Sequence, residues 1–71
     1  MSVAKVIEIT SSSPESFQDA IEQGIERASQ TVKNIQGAWI KEQQLSVEDG
    51  TITAYRVNMM ITFVLDGGVD E

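Results

Sequence analysis

The side chains able to build a site are few. Trp39, the single tryptophan, offers a flat π surface and one N–H donor. Arg56 offers a planar fork of donors suited to a carboxylate, a phosphate or ring carbonyls. Gln43 and Gln44 lie between them in the chain, and an amide reads a polar ring edge by donating and accepting at once. From residue type alone Trp39 is a packing plug, a contact between subunits or a stacking surface for a planar ligand. Arg56 either meets that ligand or pairs with an acid such as Glu42 on a neighbouring strand.

Enzymatic constellations are missing. The 71 residues include no histidine and no cysteine. The commonest general base, thiolate metal ligands and disulfide staples are therefore excluded. No HExxH pattern or phosphate-cradling glycine loop occurs. Glu22 and Glu26 are one helical turn apart on a polar face, and Glu48 and Asp49 sit in a turn signal, so both pairs read as solvated charges. The segment VEDGT is too short for a twelve-residue calcium loop, and Ser11 to Ser13 reads as a cap and turn. Tyr55, on a nearly apolar face, reads as core. No catalytic residue and no metal ligand is expected.

Five basic residues against eleven acidic give a net charge of −6. That balance argues against nucleic acid or an anionic membrane surface as a partner. The opening MSVAKVIEITSSS alternates and has no apolar run after a basic start, and no run reaches a bilayer-spanning length. The expected location is the cytoplasm.

These residues need elements to hold them. VAKVIEI is β-branched and reads as a strand over about 3–10. TSSSPES is a helix start: Ser13 as N-cap puts Pro14 at the first helical position, and Ser12 as N-cap puts Glu15 in a capping box. Phe17, Ile21, Gly24, Ile25, Ala28 and Val32 recur at helical spacing, which predicts one amphipathic helix over about 14–34. Gly24 within that stripe costs about 1 kcal/mol of helix propensity, and predicts close approach of the helix to its neighbour. A second strand follows over about 38–47, then the Asp49-Gly50 hairpin signal, then the clearest strand, about 51–65. In that last strand Tyr55, Val57, Met59, Ile61, Phe63 and Leu65 fall on one face. Ile52, Ala54, Arg56, Asn58, Met60, Thr62 and Val64 fall on the other.

The pattern describes a single α+β domain spanning 1–71: a β1-α-β2-β3 order with a three-stranded antiparallel sheet packed around one long helix. One helix covers only one face of a sheet. The face with Met60, Ile52 and Val64 is left half-apolar and uncovered, which implies self-association or a ligand.

At this point the residues resemble a known family, the dodecins, small flavin-binding storage proteins of bacteria and archaea. The likeness runs over nearly the whole chain, through KVIEITSSSPESFQDAI, then GIERASQTVKNIQGAWI with its tryptophan after the helix, then YRVNMMITFVL as the long last strand. It implies a hollow homododecamer in which pairs of flavins stack between tryptophans at two-fold axes. Trp39 matches the stacking residue. The cofactor implied is riboflavin, FMN or FAD, bound for storage and photoprotection and not for catalysis. Arg56 stands where the family usually has a glutamine that meets the flavin's polar edge. An arginine donates but cannot accept, and Gln43 or Gln44 is the amide left to compensate. The alternative is a structural dodecameric shell that binds ions or another small molecule and no flavin. A redox flavoenzyme ranks last, because a ring stacked on both faces leaves a substrate little access.

Overall fold

A computed structural model describes residues 3–65. Its elements are β1 (Ala4–Ser13), α1 (Phe17–Ala28), β2 (Ile35–Glu48) and β3 (Thr51–Val64). The strand order is β1-β3-β2, and both outer strands run antiparallel to β3. The sequence explains why β3 is central. It is the longest run of β-branched and apolar residues, apolar on one face and half-apolar on the other, and it pairs along both edges.

The core lies between α1 and one face of the sheet. Val57, Met59 and Ile61 of β3 and Ala20 of the helix are fully buried. Ile9, Phe17, Ile21 and Ile25 pack around them. The Phe17 ring meets the Tyr55 ring edge-on, 5.2 Å between centroids and 78° between planes, a favoured aromatic geometry. The expected face of β3 is thus the one the helix covers. Gly24 also does what its position in the stripe implies. A Cβ there would collide with the Met59 methyl and stand 3.0 Å from the Ser11 Cβ, so a larger residue would require Met59 and β1 to shift.

The helix is shorter than the periodicity predicts, 17–28 against 14–34. Ser11, Ser12 and Ser13 pair with Val57, Arg56 and Tyr55 and so extend β1, a long-range interaction that local sequence does not encode. The N-cap is Ser16, in place of the predicted Ser12 or Ser13; its hydroxyl accepts the Asp19 N–H at 2.9 Å. Ser13 instead anchors the entry turn. Its buried Oγ accepts the Glu15 N–H at 2.9 Å and donates to Asp19 Oδ2 at 2.5 Å. After Ala28 the chain continues in irregular turns through Val32, and Asn34 takes a left-handed φ of 65° that redirects it into β2. There β2 begins at Ile35, earlier than 38, because Ile35 pairs with Phe63.

The described chain measures 55 × 19 × 13 Å, with a Cα radius of gyration of 14.8 Å. A compact globule of this length has about 11 Å. The β2–β3 hairpin accounts for the excess by projecting beyond the helix. No helix among the described residues is long and apolar enough to cross a membrane.

The close approach at Gly24 is testable. Gly24→Val should destabilise the protein by about 1–3 kcal/mol through overpacking, despite valine's better helix propensity. Its thermal midpoint should fall below that of wild type; an unchanged or higher midpoint would refute the packing account.

Candidate functional site

Cross-strand partners place their side chains on the same face of a sheet, so the register sorts each candidate. Trp39 pairs with Met60, which pairs on its other side with Glu8. The three form one row on the face away from the helix. The next row along β3 is Glu42, Asn58 and Thr10, and the one after is Gln44, Arg56 and Ser12. Trp39 is 52% exposed, and Val6, Val47 and Ile52 on the same face are also exposed. The uncovered, half-apolar face expected from the alternation of β3 is present, with the tryptophan standing on it.

Of the residues singled out by sequence, Gln44 and Arg56 come together as register partners. Gln43 pairs with Val57 and belongs to the helix side. Trp39 and Arg56 share a face, but Met60, the partner of Trp39, and Arg56 are four positions apart on β3, roughly 13 Å at the rise of a strand. Within one protomer they do not close on the two sides of a single ring.

Register irregularities shape this arrangement. Between Ile40 and Glu42 the pairing slips by one, leaving Lys41 as an extra residue on β2. Lys41 reaches across the sheet, and its Nζ lies 3.5 Å from Glu8 Oε2. Asn58 Nδ2 lies 3.5 Å from the same oxygen. A three-residue polar group therefore sits next to Trp39, closer along the sheet than Arg56. Sequence reasoning did not single out Glu8, Lys41 or Asn58. Asn58 falls on the uncovered face by parity, but its convergence with Glu8 depends on pairing between residues fifty positions apart.

Gly37 lies one step along β2 from Trp39 on the same face, opposite Thr62, and a Cβ built there meets nothing within 4 Å. The floor beside the indole is open. A separate cavity of about 420 Å³ lies between β1 and the helix, walled by Ser11, Ser12, Gln23 and Arg27 among others. It has no aromatic side chain on which a flat ring could stack. Among the described residues no group of three carboxylates converges as a metal site.

Comparison with known proteins points one way for the fold. The sequence model of the family described as dodecin matches residues 3–66. The calcium dodecin of Mycobacterium tuberculosis is 35% identical over 63 residues, 89% of each chain. The dodecin from Streptomyces davaonensis superimposes with a TM-score of 0.88 at 37% identity, over 92% of this chain and 96% of that one. The crystal structure of the M. tuberculosis calcium dodecin, described with a novel calcium-binding site, gives 0.78 at 31% identity over 97% and 99%.

The cross-sheet ion pair should contribute little to stability. Both partners are about half exposed, 51% for Lys41 and 41% for Glu8, where such pairs are worth about 0–1 kcal/mol. Lys41→Met should shift the unfolding free energy by less than about 1 kcal/mol, and the shift should shrink further in high salt. A larger, salt-independent loss in chemical denaturation would contradict this.

Proposed function

This chain belongs to the dodecin family, and we propose that it is a non-catalytic flavin-binding member whose Trp39 stacks on the isoalloxazine ring. The observation that carries the reading is the exposed indole on a sheet face that the protomer's own helix leaves bare. Stacking on an indole offers a flavin both affinity and a fast route for losing its excited-state energy. Binding of this kind serves storage and photoprotection. It also suits a chain whose sequence contains no histidine or cysteine to assist redox chemistry.

The assembly is a homododecamer in this reading. The elongated protomer, with four fully buried apolar side chains among the described residues, has too little interior to stand alone. Flavins then sit in pairs at two-fold axes, between the Trp39 side chains of neighbouring copies. Arg56 and Gln44, roughly 13 Å along the strands from Trp39 in the same protomer, serve the ligand's polar tail or a ring held by the adjacent copy. The guanidinium fork favours a phosphorylated tail, so FMN or FAD over riboflavin.

A second reading has its own support. The M. tuberculosis relative carries calcium in its name. Calcium takes six to eight oxygen ligands. With no convergent carboxylates among the described residues of one protomer, such a site would draw on several copies. The protein would then be a cation-binding shell.

Titration of riboflavin, FMN and FAD into apo-protein, followed by flavin fluorescence, separates the two. The flavin reading expects strong quenching near one flavin per protomer, abolished in Trp39→Ala with the assembly intact. An assembled shell that quenches none of the three but binds calcium in calorimetry would instead establish the cation reading. Arg56→Gln should reduce the preference for FMN over riboflavin, on the order of tenfold for one lost charged hydrogen bond. An unchanged ratio would remove Arg56 from phosphate recognition.

A further inference from the structure

Glu8 lies in the same cross-strand row as Trp39, with Met60 between them. At the spacing of paired strands the two outer residues are roughly 10 Å apart. A flat ring lying against the indole and running across the Met60 side chain therefore meets Glu8 before any side chain of the Arg56 row. Met60 is half-buried and presents a thioether, a good floor for an aromatic edge.

The polar atoms around Glu8 have a definite order. Lys41 Nζ and Asn58 Nδ2 both face Glu8 Oε2 at 3.5 Å. Among the described residues, Oε1 of the same carboxylate takes no hydrogen bond. The result is a carboxylate with one oxygen facing two donors and the other free to accept. An imide presents a ring N–H between two carbonyls, and that N–H suits a free carboxylate oxygen. The flavin ring carries that edge, and Arg56 has no acceptor for its N–H.

We propose that Glu8, oriented by Lys41 and Asn58, accepts the imide N–H of a ring stacked on Trp39, an assignment that rests on the flavin reading above. Glu8 is then the residue that selects for rings bearing an unsubstituted imide. Lys41 and Asn58 are positioning residues, which face the other oxygen of the carboxylate. The register slip at Lys41 gains a purpose, because it brings the ammonium group across the sheet to the carboxylate.

The test compares riboflavin with N3-methylriboflavin, in which the imide proton is replaced by a methyl group. Both are titrated against wild type and Glu8→Gln by flavin fluorescence, with assembly checked by size-exclusion chromatography. Wild type should bind riboflavin roughly ten- to a hundredfold more tightly than the methylated analogue, the range for one hydrogen bond to a charged acceptor. In Glu8→Gln the donors of Lys41 and Asn58 hold the amide oxygen and turn its NH2 toward the ring N–H, donor against donor. Riboflavin should weaken by a similar factor, and the methylated analogue should not. Equal affinities in wild type, or an equal loss of both ligands in the variant, would overturn the assignment while leaving flavin binding intact. Failure of wild type to quench riboflavin at all would remove the flavin reading and this assignment together. Should Glu8→Gln misassemble, Glu8→Asp keeps the charge but withdraws the acceptor by one methylene, and the ratio of the two affinities should narrow; an unchanged ratio in that variant would overturn the assignment.

Discussion

One helix must cover a sheet with one apolar and one half-apolar face, and everything else in this molecule follows from the shortfall. The α1 stripe seals Val57, Met59 and Ile61 on one side of β3. On the other side Met60 and Val64 are half-buried and Ile52 is exposed. Burying apolar surface is the main favourable term in folding, at about 25 cal/mol per Å². A chain that leaves this much of its sheet in water gains stability by associating with copies of itself. A ligand on the same face is held by the surface that drives the association, so binding and assembly are physically linked.

The uncovered face is not uniform. Its middle carries Trp39, Met60 and Glu8 in one row, while Arg56 and Gln44 lie further along toward the hairpin turn. An apolar slab with a carboxylate at its end suits a planar heterocycle that has one polar edge. The Arg56 row suits an anion or a hydrogen-bonded tail. Two chemistries on one face, separated along the strand direction, fit a ligand built from a ring and a chain. In the ion-binding reading the same face serves only as contact between copies.

Much of this was legible in the sequence, and the misses have identifiable causes. The helix stripe and the β3 alternation are strong periodic signals, and both faces of β3 fell where parity placed them. The place of Trp39 followed from its position after the helix. The helix boundaries were harder, because Ser11 to Ser13 look like a cap but are held in β1 by pairing with β3. Strand β2 was the least readable element. Counting by twos from Trp39 reaches Gln43, yet the slip at Lys41 moves Gln44 onto the face of Arg56. One inserted residue reverses parity, and no local propensity in KEQQLS announces it. The group around Glu8 was invisible for a related reason, since it is assembled from three different strands.

The place of Trp39 has an optical consequence. The chain contains one indole, and that indole stands on the face assigned to the ligand. Its emission therefore carries no background from a tryptophan elsewhere in the chain. Anything that alters this face, whether a ring arriving, a neighbouring copy docking or water being displaced, changes the colour or lifetime of the same chromophore. The protein has a built-in reporter on the face that its own helix leaves bare.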